Sequence, residues 1–356
     1  MTMIVRPAIL ILASLSLSAA LVAQQGTAVY EATFTSTWSK TTHPVNFPSN
    51  PHFSPLIGAT HNSKTSIWMP GGISSAGMEV MAETGATGAL TTEINKLINA
   101  GGAKNLVAGS GMPKSPGSVS VRFTVSASHP HLTIVTMLAP SPDWFTGLSG
   151  FNLMDKGRWI KQAVFPATIW DAGTDNGMTY TSSNSNTNPK QKIVIVTTAS
   201  GPFKGYSTSL GTWTIKRVAG AKIYGCGVNP VGSMTVSSGV PLLGQSVTLE
   251  LHDPGNSMGK GSKTHLFISA APDGAFPCGA KIPGLGMKAP GLVGELLITT
   301  ILARIDGPAW QGTPVPFKLS VPNDSNLIGL AAYVQGALSN GSRIGVTDAV
   351  ELHLGK

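Results

Sequence analysis

The chain has 356 residues, a formal charge of +8 and only 11% charged side chains. That length exceeds one comfortable hydrophobic core and points to two. The basic excess is spread thinly, with no run of five or more Lys/Arg, which excludes the clustered footprint of a nucleic-acid binder.

Arg6 is the only charged side chain before Glu31, and an apolar run from Ala8 to Ala23 follows it. A basic start, an apolar middle and a small-residue exit predict an export signal over residues 1–23, cleaved after Ala20 or Ala23. The run is short for a membrane span, and no later stretch is long and apolar enough for one. The expected location is therefore outside the cytoplasm, secreted or in the cell envelope.

The mature chain reads as β structure, its 42 Gly and 25 Pro punctuating short Val, Ile and Thr-rich runs. Residues 28–38 alternate as a strand, and a Pro, His and Asn-rich loop follows. Met78, Met81, Ala82, Leu90, Ile94, Leu97 and Ile98 recur at helical spacing between Ser74 and Ala100, with Gly85 and Gly88 splitting the helix in two. Strands are predicted at 118–128, 132–139, Trp159–Phe165, 192–200 and 211–219. The remainder carries turn signals every 8–12 residues, with strands expected within 232–239, 245–253, 264–271, 294–305, 315–322, 327–339 and 347–355. This order predicts an all-β fold: an antiparallel sandwich over 26–219 with a short helical insertion, then a smaller sandwich over 222–356. The boundary falls near Ala219–Tyr224. Cys226 and Cys278 are the only cysteines, and in an exported chain they are expected to form one disulfide. A reactive thiol pair would call for C-x-x-C spacing, which is absent.

Three aspartates draw attention in so weakly charged a chain. Asp143 follows the predicted strand 132–139, and Asp171 and Asp175 frame "DAGTD". Loops at one end of a sandwich converge, so acids distant in sequence can meet there. Three carboxylates with backbone carbonyls and water would suit Ca²⁺, and Gly173 would allow the tight turn between two of them. The same spacing also describes ordinary turn and helix-capping aspartates.

Several stretches in order carry a resemblance: "YEATFTSTWSKTTHPVNFP", "HFSPLIGATHNSKTSIWMPGG", "MAETG", "MLAPSPDWFTGL" and "WDAGTDNGMTYTSSNSNTNP". Residues from about 28 to 200 resemble the spondin N-terminal domain of the F-spondin and mindin type. The resemblance implies a C2-like antiparallel sandwich with a calcium ion held by loop aspartates, here Asp143, Asp171 and Asp175. It also implies adhesion through an extracellular protein or glycan surface. The first 200 residues lack the cysteines of animal members, and no thrombospondin type 1 repeats follow. The acidic position tied to integrin binding has no counterpart within 116–130, so integrin recognition is not implied. The C-terminal part resembles modules at the ends of exported bacterial proteins, through "FPCG" and "GELLI", which implies location rather than activity.

The expectation is a secreted, calcium-binding adhesion module that is not an enzyme. The alternative from another class is a carbohydrate-active or ester hydrolase using the same acidic end. Paired carboxylates suit glycoside hydrolysis, yet aromatics for sugar subsites are only 6% of the chain. "GGISSAG" (71–77) fails the nucleophile-elbow spacing, and "GNSMGKGS" (255–262) lacks that of a P-loop. His43, His52 and His61 lie nine residues apart and read as structural histidines rather than zinc ligands. Docking on anionic lipid through the calcium end is a third expectation, ranked last because apolar loop tips are not evident in the sequence.

Overall fold

The computed structural model describes residues 26–155, 158–199, 201–341 and 343–356. The expected export segment, 1–23, lies outside the described residues. The fold is all-β and antiparallel, with open sheets and two helices.

The N-terminal sandwich is built from β1 (Thr27–Ser36), β2 (His52–Phe53), β3 (Ile57–His61), β4 (Ala103–Ala108), β5 (Gly117–Ser126), β6 (His131–Ala139), β7 (Trp144–Asn152), β8 (Met154–Asp155), β9 (Arg158–Trp159), β10 (Gln162–Asp171), β11 (Val194–Ile195) and β12 (Ser209–Tyr224). One layer runs β5-β1-β12-β10, and the other runs β10-β7-β6-β3-β4. Strand β10 serves both layers. Its first half pairs with β12, the register shifts between Pro166 and Thr168, and Ile169–Asp171 then pair with β7. That bend carries Asp171 to the end of the second layer.

Alternation explains the first layer. Ala28, Tyr30, Ala32 and Phe34 of β1 and Val119, Val121, Phe123 and Val125 of β5 point into the core, meeting Trp213 and Ile215 of β12. Strand β6 does not alternate, because both of its faces are covered. Leu132, Ile134 and Leu138 join the inter-layer core, while Val135, Met137 and Ala139 face a second cluster with the helices. The apolar run 132–139 is therefore what a doubly buried strand should show.

The helices α1 (Ala76–Thr84) and α2 (Gly88–Asn99) form as expected. Ser75 caps α1 by accepting from the Met78 N–H, and Gly85, at φ +73°, ends it in the left-handed conformation. Met78, Met81, Leu90 and Ile94 pack on Ile57, Ala59 and Phe145. The Glu93 carboxylate ties the pair together, accepting from the Gly77 N–H at 2.7 Å and the Ser75 hydroxyl at 2.5 Å.

The C-terminal sandwich contains β13 (Met234–Ser238), β14 (Ser246–Leu251), β15 (Lys263–Ser269), β16 (Ala280–Pro283), β17 (Val293–Leu296), β18 (Ile301–Gly307), β19 (Val315–Ser320), β20 (Ala331–Asn340) and β21 (Arg343–His353). A three-stranded sheet, β13-β14-β19, faces β18-β15-β20-β21 across a core of Met234, Leu249, Leu266, Phe317, Val334 and Val350. Cys226 and Cys278 form the expected disulfide, 52 residues apart in sequence with Cα atoms 5.1 Å apart.

Four strand expectations change. The run 159–165 divides between the end of β9, which pairs with β8, and the start of β10, with a break at 160–161. The run 294–305 holds two strands, β17 and β18, separated by a break at 297–300. Among the described residues of 192–199 only Val194–Ile195 form a strand, beside an isolated bridge from Lys192 to Ile73, because this segment crosses the end of the second layer at the side of β10. The strand expected at 211–219 does not end there. β12 continues to Tyr224, passing from β10 to β21 along the same edge while β1 holds the other. Buried clusters lie on both sides of this crossing.

Candidate metal centre and its apolar rim

Asp143 sits in the turn between β6 and β7, Asp171 is the last residue of β10, and Asp175 lies in the loop that follows. The fold brings these three to one end of the N-terminal sandwich. Three backbone N–H groups close the turn over the loop. The Ala172 N–H donates to the Asp143 carbonyl at 3.2 Å, and the Asp143 Oδ2 accepts from the N–H groups of Thr174 at 2.8 Å and Asp175 at 3.1 Å. The Thr174 hydroxyl adds a third donor to the same oxygen at 3.3 Å.

Asp171 folds back to accept from the Gly173 N–H at 2.8 Å. This is the turn Gly173 makes possible: its φ is +72°, and a Cβ there would stand 2.4 Å from the Gln191 carbonyl oxygen. Both oxygens of Asp175 are engaged, Oδ1 by the Gly177 N–H at 2.6 Å and Oδ2 by the Ser185 N–H at 2.9 Å. Asp175 therefore pins the 175–186 loop.

Asp143 is 0% exposed, and its Oδ1 has no hydrogen-bond partner. A bare carboxylate oxygen in the interior is costly unless a proton or a cation compensates it. Burial, and then the neighbouring charge of Asp171, push the Asp143 carboxyl up to about 7. Asp171 is raised as well, by burial and more weakly by Asp175, against the Gly173 N–H and the Trp144 indole. Glu83, near the end of α1, is a fourth acid that the sequence reading did not single out. Its Oε1 is buried without a partner, and burial raises its carboxyl, with Glu79 and Asp175 adding to the effect. Thr174 hydrogen-bonds it and Lys190 opposes the shift. The signal for Glu83 was present, since it is the acid of the "MAETG" stretch.

Lys190 and Lys192 are the cations of the segment that crosses this end, and Glu79 already engages Lys190 at 2.7 Å. Asp143, Asp171, Asp175 and Glu83 therefore outnumber the positive charge around Thr174. Asp143 Oδ1 and Asp171 fit a hard-oxygen cation such as Ca²⁺, with Glu83 within reach of the same loop. The oxygens of the three aspartates do not all lie within 4.8 Å of one another. The arrangement thus offers Asp143 and Asp171 as the central pair, with Asp175 as the group that shapes the loop.

Beside Asp171 a cavity of about 150 Å³ is lined by Trp144, Met178, Ile195, Val196 and Phe203. Met178, Val194 and Ile195 are each about half exposed, and Ile73, bridged to Lys192, stands out beside them. Apolar loop tips, missing from the sequence reading, are thus present at the acidic end. Val194 and Ile195 were hidden because 192–200 reads as a strand like the others.

The histidines of the long loop do not converge. His43 bonds Thr42 and the Ser207 carbonyl, His52 bonds the Asn50 carbonyl, and His61 bonds the Asn62 carbonyl and the Thr133 hydroxyl. Among the described residues no helix is long and apolar enough to cross a membrane.

An antiparallel sandwich with a helical pair over one sheet and acidic loops gathered at one end defines the class. Its sequence match is equally specific: the chain belongs to the Spondin_N family, whose pattern covers residues 28–206, half of the chain. It is 36% identical over 185 residues to Spondin-1 of Gallus gallus, covering 50% of this chain and 23% of that protein. With Spondin-1 of Rattus norvegicus it shares 35% over 209 residues, 54% of this chain and 26% of the relative. With Spondin-2 of Homo sapiens it shares 34% over 177 residues, 49% of this chain and 54% of the relative. The chain thus spans about a quarter of the Spondin-1 proteins and about half of Spondin-2. The C-terminal sandwich lies beyond the family match.

Proposed function

We propose that the chain is a secreted, calcium-binding surface-interaction module without catalysis of its own, engaging an extracellular protein or glycan surface through the acidic end of its N-terminal sandwich. The observation that carries this reading is Asp143, fully buried, with one oxygen held by Thr174 and Asp175 and the other left bare. A purely structural aspartate would have donors at both oxygens. Membership of the Spondin_N family supports the same reading.

Calcium, when bound, would supply the positive charge that Asp143 and Asp171 lack. The chain's own residues do the rest. Asp143 clamps the 174–175 segment, Gly173 turns the chain, and Asp175 holds Gly177 and Ser185, so the loop carrying Met178 takes one shape. An ordered apolar rim around an acidic floor is then presented to the partner. The expected affinity is that of extracellular calcium modules, of order 10⁻⁴–10⁻³ M.

Titration calorimetry and thermal melting of the mature protein test this. Binding heat with Ca²⁺ and a melting temperature that falls in chelator support it. Both effects should vanish in Asp143→Asn/Asp171→Asn/Asp175→Asn, a variant whose circular dichroism must match the wild type. No binding heat and the same melting temperature with and without chelator would sink the proposal. Turnover in a polysaccharide and ester screen, lost in Asp171→Asn but indifferent to Ca²⁺, would favour the hydrolase instead.

The exposed Ile73, Met178, Val194 and Ile195 favour one second reading, docking on an anionic lipid surface. Co-sedimentation with phosphatidylserine vesicles, with and without Ca²⁺, separates lipid from protein or glycan as the partner.

A further inference from the structure

Strand β18 ends the long sheet. Its ladder runs to β15, from Thr264 opposite Gly307 to Ser269 opposite Ile301, and its other edge faces no strand among the described residues. Such an edge presents unpaired N–H and C=O groups, and proteins usually cover it or charge it. This one keeps apolar residues in the open: Ile301 is 53% exposed, Leu302 65% and Ile305 37%, and every residue from Ile301 to Asp306 is exposed. The register shift at Ile268/Ser269 leaves Leu302 outside the ladder, and Pro308 follows the strand. The straight part with strict alternation is therefore 303–307.

Within it, Arg304 and Asp306 share a face, as their 2.6 Å ion pair and the 2.7 Å contact of His265 with Asp306 show. Ala303, Ile305 and Gly307 lie on the other face. Now let a second copy pair antiparallel along the free edge, about a two-fold axis through Ile305. Opposite residues then have numbers summing to twice 305. Arg304 meets Asp306 of the other copy, twice over, Ile305 meets itself, and Ala303 meets Gly307. Sliding by two residues one way sets Arg304 against Arg304, and the other way sets Asp306 against Asp306. Like charges directly opposite are destabilising, and opposite charges favourable. One register is thus selected by charge.

We propose that β18 is a self-association edge, through which two copies join their C-terminal sandwiches into one continuous sheet about a two-fold axis at Ile305. The occupant is a second copy because the edge is complementary to itself in charge, with Arg304 and Asp306 placed symmetrically about Ile305. A ladder of this length is small, so the dimer is weak and reversible. On a surface that clusters many copies, it would tie neighbours together.

Sedimentation equilibrium on the mature full-length chain, from micromolar to millimolar concentration, tests it. The expected result is a weight-average mass rising towards that of a dimer. Arg304→Asp alone and Asp306→Arg alone should each weaken association by about tenfold or more, since each replaces two attractions with two repulsions. Mixing these two variants should restore a dimer. One copy then carries acids at both positions and the other carries bases at both, so the two cross-edge contacts are attractive again. The double reversal Arg304→Asp/Asp306→Arg should also associate like the wild type. A wild-type chain that stays monomeric throughout overturns the proposal and leaves the edge to a partner of another sequence. Association unchanged in either single reversal, or no recovery in the mixture of two variants with wild-type circular dichroism, overturns it too.

Discussion

Two fully buried carboxylates, one in each sandwich, are solvated in opposite ways. Glu295 accepts from the Cys226 N–H at 2.9 Å on one oxygen and from the Gly279 N–H at 3.0 Å on the other. It fastens both sides of the disulfide, and nothing of it is left over. Asp143 accepts on Oδ2 alone, and Oδ1 has no partner. The contrast separates an acid that holds structure together from one with capacity in reserve, although burial is the same for both. The cores differ in parallel. Tyr30, Phe34, Trp38, Phe53, Trp144, Trp159, Tyr180 and Trp213 fill the N-terminal sandwich, while the C-terminal core is mostly aliphatic around Trp310 and Phe317, and the disulfide lies outside it, with Cys226 exposed.

The largest test of this contrast is loss of the cross-link. Cys226→Ser/Cys278→Ser should cost the C-terminal sandwich about 4 kcal/mol, from the loop the bond closes. Six of the seven tryptophans, all but Trp310, lie before residue 220, so their fluorescence reports the N-terminal sandwich. In denaturant unfolding, circular dichroism should show a weakened component while that fluorescence moves less. An equal fall in both signals would make the two sandwiches one cooperative unit.

Acid comes next. Asp143 and Asp348 are each raised from 3.8 to about 7, chiefly by burial, with Asp171 and Glu295 respectively adding to it. Between these limits the folded chain holds more protons than the unfolded one. Each group's contribution is therefore present at low pH and lost as pH rises from about 4 through 7, by at most about 1.4 kcal/mol per pH unit. In chelator, the melting temperature should fall over this range. Millimolar Ca²⁺ should flatten the Asp143 part, because the ion needs the carboxylate, and leave the Asp348 part. A slope that ignores Ca²⁺ would remove Asp143 from the metal reading.

Gly173→Ala forces both a left-handed backbone and a clash with Gln191, and should cost roughly 1–3 kcal/mol. Thermal melting should show this loss together with weaker Ca²⁺ binding, since the turn that aims Asp171 is gone. Smallest is the metal itself: at ten times its dissociation constant, Ca²⁺ should stabilise the protein by about 1.4 kcal/mol. Asp143→Asn should abolish that gain without lowering the melting temperature in chelator, whereas Glu295→Gln should lower it in either condition.

Much of the fold was legible because it rests on local pattern. The period-two burial of β1 and β5, the glycine break between α1 and α2, and the disulfide were all open to reading. The three aspartates were found through the order of several motifs, since D-x-x-x-D alone describes a turn equally well. What stayed hidden depends on distant contacts. Glu83 joins the site only because α1 packs on the second layer, and Asp143 is bare only because the 171–175 loop closes over it. The apolar rim at Val194 and Ile195 falls in a run predicted simply as a strand, since exposure at the end of a layer leaves no mark in a short apolar run. The continuation of β12 past residue 219 was equally invisible, being set by its pairing with β21.

The long strand also has a mechanical side. β12 runs through both sandwiches, held along one edge by β1 from Ser36 to Ala28 and along the other by β10 and then β21. No soft linker stands between the halves at this crossing. A module anchored at one end and gripped at the other would transmit tension along β12, loading several rungs of its ladder in shear together rather than opening them one by one. The shared strand couples the two sandwiches through one continuous, doubly paired stretch of backbone.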